Sequence, residues 1–364
     1  MTGTGPWHIR AVWLPDDSVR DIYVTEDRLG FTPVPGAVTV ADSGYALPGL
    51  VDAHCHIGIR PGSIPVTGVD EARDMAVVDR DAGVLAIRDA GSPLPYPELD
   101  DDPDLPRLSR AGRHLAPPRR YLRGVAVECT ADELPAAAAE QAKAGNGWVK
   151  LVGDWIDREA GDLGPTFDSA VLAAAIDAAH AAGARVAVHT FSEAAVAAVV
   201  EAGVDSVEHG TGLSPDLIDL MARRGTALVP TMINIATFDG IADQADPKFP
   251  RYAEHMRALK SGFPSVVRSA HEAGVPIFVG TDAGGGIDHG RAVDEMLLLH
   301  EEAGMSTMEV LRAGSWGARD WLGFGTAPDG TMLPDLTVYP TDPRQDLRAL
   351  YDPSRIVLRG RLVR

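Results

Sequence analysis

The segment EAGVDSVEHG, residues 201–210, joins the end of a helix to a buried strand and places a histidine where that strand ends. Its Gly203 suits the position just after a helix, and the apolar run that follows suits a strand covered on both faces. The same order of helix, glycine, apolar strand and polar residue recurs in five further stretches, residues 81–89, 143–154, 181–190, 223–231 and 272–282. This repetition predicts parallel strands separated by helices.

Eight strands follow from this pattern, near residues 49–56, 84–88, 107–115, 148–152, 185–189, 205–209, 227–231 and 276–282. The third, RLSRAGRHL, has the least strand-like sequence. Eight such units in succession fit a (β/α)8 TIM barrel better than an open doubly wound sheet. In such a barrel, chemistry gathers at the C-terminal ends of the strands, so the residues at those ends are the candidates for a site.

The two ends of the chain have a different character, with short alternating strands broken by Gly, Pro and Asp. We therefore predict an α/β protein in three segments. Residues 48–325 form the (β/α)8 barrel, and residues 1–47 and 326–364 together form a small β-sandwich domain. A pair of unrelated edge strands is the alternative interpretation of the two ends.

The composition excludes several classes of protein. The 33 basic and 52 acidic residues give a net charge of −19, which disfavours binding to nucleic acid or to an anionic membrane. The two cysteines, Cys55 and Cys129, form neither a disulfide framework nor a CxxC motif, which favours a cytoplasmic location. The sequence shows no signal peptide and no apolar run of the roughly 20 residues that a membrane span needs. We expect a small-molecule substrate, and assembly into a homo-oligomer is left open.

Two histidines end the first predicted strand. Because side chains alternate along a strand, His54 and His56 share a face and Cys55 lies opposite. Two imidazoles on one face can share a metal, although many such pairs are surface or capping residues. Lys150 lies within the apolar strand WVKLVG and is one of only four lysines. It is either a salt-bridged or snorkelling lysine or a group whose pKa is lowered for chemical modification.

Three further strand ends carry polar side chains: His189, His209 and Asp282. Each alone is more often a hydrogen-bonded core histidine or a capping aspartate than a ligand. Together with His54, His56 and Lys150 they place nitrogen and oxygen donors at one mouth of the barrel. Such donors suit zinc or a similar divalent ion.

At these positions the chain resembles the amidohydrolase superfamily. The resemblance rests on LPGLVDAHCH, VKLVGD, VAVHT, VEHG and VGTDAG, which match the metal-ligand motifs in strands one, four, five, six and eight. It extends over nearly the full chain, including the terminal β segments. AIRDAGS after the second strand is typical of the branch that holds imidazolonepropionase-related and prolidase-like enzymes.

The resemblance implies a binuclear metal centre, with two zinc ions per chain. His54, His56 and Asp282 would hold the more buried ion, and His189 and His209 would hold the second. Lys150, carboxylated by carbon dioxide, would bridge the two ions. A single ion beside an unmodified Lys150 is the alternative.

The reaction implied is hydrolysis of an amide, cyclic amide or dipeptide C–N bond by a metal-activated hydroxide, with Asp282 as the general acid and base. The same chemistry could act on a lactone or a phosphotriester. A metal-binding relative without catalysis is a further alternative. A dinucleotide-binding protein is disfavoured because no GxGxxG follows the first strand.

The substrate contacts follow less directly from the sequence. Relatives in this branch often carry SGxxxxxTGGHG after the third strand, and here AGRHLAPPRRYLRG places Tyr121 at the position of its histidine. His114, Tyr121, Trp155 and His289 are candidates on the mouth loops. Arg88 could bind a substrate carboxylate, or pair with Asp89 as part of the structure. The DAGGG run lacks the Lys and Ser/Thr of a phosphate-binding loop, so we interpret it as a tight turn.

Overall fold

A computed structural model describes residues 3–325 and 331–364. Its α-helices are α1 (Val69–Asp81), α2 (Leu134–Ala144), α3 (Ser169–Ala181), α4 (Glu193–Glu201), α5 (Pro215–Arg224), α6 (Met232–Ile235), α7 (Phe238–Ala245), α8 (Pro250–Glu272), α9 (Ala292–Glu301), α10 (Thr307–Ala313) and α11 (Trp316–Leu322). Single 3-10 turns are formed by Pro97–Leu99 and Leu347–Tyr351.

The strands fall into a terminal set and a central set. The terminal set is β1 (Gly3–Thr4), β2 (Trp7–Trp13), β3 (Ser18–Val24), β4 (Leu29–Gly30), β5 (Val38–Ala41), β6 (Tyr45–Leu47), β20 (Leu336–Tyr339), β21 (Arg355–Leu358) and β22 (Arg361–Leu362). The central set is β7 (Leu50–Cys55), β8 (Ile59–Arg60), β9 (Ile64–Pro65), β10 (Val84–Asp89), β11 (Arg107–Arg110), β12 (Leu115–Ala116), β13 (Val127–Glu128), β14 (Trp148–Val152), β15 (Asp154–Asp157), β16 (Asp162–Pro165), β17 (Arg185–Thr190), β18 (Ser206–His209) and β19 (Ala227–Val229).

The repeating pattern produces two parallel sheets flanked by helices. One has the order β11-β10-β7, and the other has the order β13-β12-β14-β17-β18-β19. The predicted strands at 84–88, 148–152 and 185–189 match β10, β14 and β17 closely. The glycines lie at the helix ends as predicted, for example Gly225, which follows α5 with φ 71°. The mixed α/β class is therefore confirmed.

The eighth predicted strand, residues 276–282, forms single bridges instead of a continuous strand. Ile277 pairs in parallel with Leu228 of β19, and Ala283 pairs with Cys55 of β7. The segment thus joins the edges of the two parallel sheets. A side chain at Gly280 would meet Val229 and His54 at 2.4 and 2.8 Å, so only glycine lets this backbone pass so close to the first strand.

The third predicted strand, residues 107–115, is interrupted. The structure has β11 in one parallel sheet and β12 in the other. Between them Gly112 has φ 44°, a left-handed conformation that breaks the extended backbone. Gly112 packs against Gln141 of α2. The side-chain oxygen of Gln141 accepts a hydrogen bond from the Arg113 N–H at 2.8 Å.

Strands from both ends of the chain meet in one sheet. Among the described residues this sheet has nine strands, with the path β1-β22-β21-β20-β6-β2-β3-β4 and with β5 paired to β2. Its own apolar cluster includes Trp7, Ile9, Trp13 and Ile22. The three-segment division at residues 47 and 325 stays a prediction, and the residues that open the last segment, 326–330, lie outside the described part of the chain.

Within residues 3–325 and 331–364, no helix has both the length and the apolar character needed to cross a membrane.

Candidate metal centre

Five of the six predicted ligands meet through direct contacts at the C-terminal ends of the parallel strands. Asp282 Oδ1 lies 3.2 Å from His54 Nε2 and 3.0 Å from His56 Nε2. The Lys150 Nζ atom lies 3.4 Å from His54 Nε2. The ring of His209 is 5.1 Å from that of His54, centroid to centroid. Strand ends separated by more than two hundred residues in sequence thus form one cluster.

His189, the sixth predicted ligand, lies beside His209 with their ring centroids 4.8 Å apart. Its side chain is buried, and its Nε2 atom has no hydrogen-bond partner in the described chain. Asp154 Oδ1 is 3.7 Å from this nitrogen, which is beyond a hydrogen bond. A buried polar atom without a partner is costly, so His189 is suited to a ligand outside the protein chain.

Two site residues have strained backbones. His209 has φ 67° and Asp282 has φ 58°, in the left-handed region that non-glycine residues seldom adopt. Thr231, with φ 49°, belongs to the same region, because its hydroxyl contacts His209 Nδ1 at 2.7 Å. Strain of this kind costs on the order of 1 kcal/mol or more per residue and is concentrated at functional sites. It aims the His209 and Asp282 side chains at the other ligands.

A buried ion pair on the Nδ1 side of His54 orients its ring. Glu208 Oε2 contacts His54 Nδ1 at 2.5 Å and Arg88 Nη2 at 2.7 Å, and Arg88 Nε also donates to the Ala53 carbonyl at 2.5 Å. This leaves His54 Nε2 facing Asp282 and Lys150. Burial alone would raise the pKa of Glu208, but the Arg88 guanidinium holds it well below its usual range.

This arrangement corrects one prediction about Arg88. The sequence allowed a structural pair between Arg88 and Asp89, yet neighbouring residues of β10 point to opposite faces. Arg88 pairs instead with Glu208 beneath the centre, and Asp89 accepts from the Ser92 hydroxyl at 2.6 Å. The Arg88 side chain is fully buried, so its hydrogen bonds serve the protein and not the mouth.

The other proposed substrate contacts separate into two groups. His114 stacks on His56 and on Tyr121, with centroid distances of 5.2 and 4.8 Å, and Tyr121 lies 4.9 Å from Trp155. His289 lies elsewhere: its Nδ1 contacts Asp79 Oδ2 at 2.8 Å. The structure therefore brings His114, Tyr121 and Trp155 to the centre and leaves His289 outside it.

Cys55 lies on the opposite face of β7 from the two histidines, as predicted, and is buried in the main apolar core. With Asp79 and His289 it forms a second group whose donor atoms lie within 4.8 Å of one another. Asp79 is already engaged, since its Oδ1 accepts from the Gly290 N–H at 2.7 Å while its Oδ2 meets His289. We interpret this group as the link that fixes the loop after Asp282 to α1.

Burial and mutual charge set the protonation of the centre. Burial, with the nearby Lys150, lowers the pKa of His189 to about 3, and burial lowers the pKa of Lys150 to about 8. Burial would raise the pKa of Asp282, but the imidazoles of His54 and His56 hold it well below its usual range. The centre therefore presents neutral imidazoles at His54, His189 and His209 and an ionised carboxylate at Asp282, which are the forms that bind metal.

The donor set fits a divalent metal. Donor atoms of His54, His209 and Asp282 all lie within 4.8 Å of one another, and the unpartnered His189 nitrogen adds a fourth donor. Imidazole and carboxylate are ligands that zinc accepts. Asn234, which the sequence analysis did not single out, holds the remaining oxygen of Asp282, since its Nδ2 donates to Oδ2 at 2.7 Å.

Comparison with known proteins places the chain in a family. Residues 122–327 match the amidohydrolase family. An uncharacterized protein of Mycobacterium tuberculosis is 51% identical over 356 residues, which cover 97% of this chain and 95% of that protein. The chain therefore belongs to the amidohydrolase family, whose members are hydrolases of carbon–nitrogen bonds and generally use a divalent metal.

Solved structures share the fold. A putative prolidase from Bifidobacterium longum has a TM-score of 0.80 at 24% identity, with 99% of this chain and 95% of that chain covered. The ochratoxinase of Aspergillus niger has a TM-score of 0.78 at 18% identity, with 98% and 94% covered. These likenesses concern the fold.

Proposed function

We propose that this protein hydrolyses an amide, cyclic amide or dipeptide C–N bond at a centre of two zinc ions, on a (β/α)8 barrel. The observation that carries the proposal is the cluster of His54, His56, His209 and Asp282 beside the unpartnered nitrogen of His189. His54 and His56 come from the end of β7, and the other side chains come from three further segments that meet beside it. His54, His56 and Asp282 would hold one ion, and His189 and His209 would hold the other.

Lys150 would complete the centre as a carbamate. Its pKa of about 8 leaves a fraction of neutral amine at neutral pH, and this is the form that adds to carbon dioxide. The ammonium first loses one proton, and the neutral nitrogen then forms a bond to the carbon of carbon dioxide and loses a second proton. A cation that faces His54 Nε2 at 3.4 Å thus becomes an anion with two oxygen donors. An anion at this place suits a site that gathers cations.

The protein's own groups supply acid and base catalysis. Bound divalent ions supply Lewis acidity and lower the pKa of water toward about 7. Asp282 remains ionised, accepts a proton from the attacking water, and returns it to the leaving nitrogen, which must be protonated to depart. Its hydrogen bond from Asn234 fixes the carboxylate plane, while Glu208 and Arg88 fix the ring of His54.

A library assay on protein reconstituted with zinc tests this proposal. N-acyl amino acids, dipeptides, cyclic amides, lactones and phosphotriesters would be compared by kcat/KM. We expect turnover of at least one C–N substrate and its loss after chelation. Activity confined to the lactones or phosphotriesters would contradict the amide assignment, and metal-independent turnover would contradict the metal centre.

A further inference from the structure

Two aromatic rings cover one side of the metal centre. Tyr121 lies in the segment after β12, and Trp155 lies in β15. Their centroids are 4.9 Å apart with an angle of 62° between the ring planes. The His189 ring is 6.0 Å from Tyr121 and 5.9 Å from Trp155. His189, a predicted ligand, is therefore in edge contact with Tyr121 and in tilted contact with Trp155.

Aromatic packing continues on both sides of this pair. Beyond Tyr121, the ring of His114 bridges to His56. Beyond His189, the ring of Phe191 lies 4.4 Å from His189 and 4.8 Å from Phe238. These rings form a continuous aromatic band beside the predicted ligands. Such a surface suits a flat apolar group.

His114 is the polar exception within this band. It is completely buried, and neither of its ring nitrogens has a hydrogen-bond partner in the described chain. Because a buried nitrogen without a hydrogen-bond partner is costly, the two ring nitrogens of His114 are suited to a partner from outside the protein. A neutral amide, which offers both an N–H and a carbonyl oxygen, can supply that partner.

Arg120 ties the two rings into one unit. Its Nη1 contacts Asp157 Oδ2 at 3.2 Å, and its Nη2 donates to the carbonyl of Gly164 at 2.9 Å and to that of Trp155 at 3.3 Å. Asp157 and Gly164 belong to opposite strands of the β15–β16 hairpin. Arg120, the residue before Tyr121, is therefore hydrogen-bonded to the hairpin that carries Trp155.

The charges around this band disfavour an anionic substrate group. The guanidinium of Arg120 is occupied by one carboxylate and by carbonyl oxygens, so it is not free to bind a substrate carboxylate.

We infer that Tyr121 and Trp155 form an aromatic gate that binds an uncharged aromatic ring of the substrate beside the scissile bond, with Arg120 as its positioning residue. The substrate class is thus a neutral aromatic amide. This inference rests on the proposed amide hydrolysis and adds what the site selects. The His114 nitrogens pair with the amide while the ring occupies the gate.

Matched substrates test the selection directly. One series varies the group on nitrogen: the anilide, the cyclohexylamide and the 4-carboxyanilide of N-acetylalanine. A second series varies the acyl side: the benzoyl, cyclohexanecarbonyl and 4-carboxybenzoyl methylamides. In the series that is hydrolysed, we expect kcat/KM to be about 10-fold or more higher for phenyl than for cyclohexyl or carboxyphenyl. Equal rates for phenyl and cyclohexyl, or faster cleavage of the carboxylated member, would overturn the inference.

Variants of Trp155 assign the selection to the gate. Trp155→Leu keeps apolar volume and removes the ring. We expect kcat/KM of this variant for the phenyl substrate to fall to the value for the cyclohexyl substrate, so that the preference for phenyl is lost. If the preference survives in Trp155→Leu, the ring is bound elsewhere and the inference fails.

Variants of Arg120 test its positioning role. Arg120→Met should raise KM for the phenyl substrate about 10-fold with a smaller change in kcat, and Arg120→Lys should restore part of the loss. Arg113→Met is the matched control, because Arg113 donates to carbonyls of the same segment, at Val125 and Ala126. An equal rise of KM for phenyl and cyclohexyl substrates in Arg120→Met would reduce Arg120 to a structural role and contradict the inference.

A binding measurement separates this inference from the proposed reaction. Benzamide and cyclohexanecarboxamide would be titrated against the zinc-loaded protein, with the fluorescence of wild type compared with that of Trp155→Phe. We expect tighter binding of benzamide, with a signal that depends on Trp155, even if no amide in either series is cleaved. Cleavage of amides without this preference would contradict the gate alone, and preference without cleavage would contradict the reaction alone.

Discussion

Two buried clusters of charged and titratable side chains, both within the described residues, differ in how fully their members pair with one another. At the junction between the terminal sheet and the central part, Asp335 accepts from Arg107 Nε at 2.5 Å, from Arg319 Nη2, and from the Arg359 N–H at 2.9 Å. Both of its oxygens are occupied by donors of the protein. We name this group the junction cluster.

In the metal centre, by contrast, not all donors and acceptors are paired within the described chain. Imidazoles outnumber the carboxylates that could pair with them, and His189 and His114 keep nitrogens without partners in the described chain. The Lys150 ammonium faces an imidazole nitrogen. Burial of charge alone therefore does not identify a functional site. A site is marked when donors and acceptors converge and remain unsatisfied.

Replacement of the catalytic carboxylate should give the largest effect. Asp282→Asn keeps the side-chain shape but removes the base, so we expect kcat to fall about 10²- to 10⁴-fold with little change in the free energy of unfolding. Steady-state kinetics on zinc-loaded protein would measure this, with the exposed Asp239→Asn as control. Turnover within a few-fold of wild type would show that Asp282 does not act as the base.

A substitution in the junction cluster should lower the free energy of unfolding and leave kcat nearly unchanged. Asp335→Ala leaves the buried Arg319 and the partly buried Arg107 without their carboxylate, so we expect a loss of about 3–5 kcal/mol in the free energy of unfolding. Urea denaturation would measure the loss, and kcat per folded molecule should stay near that of wild type. If Asp335→Ala instead lowered metal content while the fold stayed intact, the distinction between the two clusters would be lost.

A smaller effect is expected behind the ligands. Glu208→Gln keeps an acceptor for His54 Nδ1 but removes the charge that pairs with Arg88, so the metal affinity should fall about 10- to 100-fold. Competition with a coloured chelator would measure the affinity. An unchanged affinity would mean that Glu208 serves the packing of the parallel sheets and does not tune the centre.

The smallest effect concerns a histidine outside both clusters. Burial lowers the pKa of His255, but its contacts with Asp162 and Glu193 outweigh this and raise it. The resulting stabilisation is fully present below the unfolded pKa of about 6.5 and is lost as pH rises through the higher folded value. His255→Gln should therefore cost at most about 1 kcal/mol, and only at the acidic end.

The free energy of unfolding of wild type and His255→Gln, compared at pH 6 and pH 9, would check the sign. A difference that grew toward pH 9 would contradict the assignment of the two carboxylates as partners of a charged His255.

The sequence predicts the repeating strands well because glycine positions and apolar runs are local signals. β14 matches its predicted bounds, and strands from both ends of the chain share one sheet. The interruptions were not predicted, because they depend on contacts between distant segments. Gly112 turns away from an extended backbone, and the segment of Gly280 is held by the strands on either side.

Most of the predicted ligands lie at or near the end of a predicted strand, and the C-terminal ends of parallel strands meet at one edge, so their clustering is a prediction that the sequence alone supports. The groups that hold the ligands could not be predicted in the same way. Glu208 precedes a predicted ligand in VEHG, which is a weak local signal, whereas Asn234 and Arg120 lie in helix α6 and in a loop. Their roles follow from hydrogen bonds across the fold, and no periodicity in the sequence encodes these.

The most direct test of the central claim is elemental analysis of the purified protein, expressed with zinc and dialysed, with His189→Ala measured in parallel. The account predicts about two equivalents of zinc per wild-type chain and a loss of about one in the variant, since His189 would hold the second ion. No bound metal in the wild-type protein would contradict the proposed centre outright.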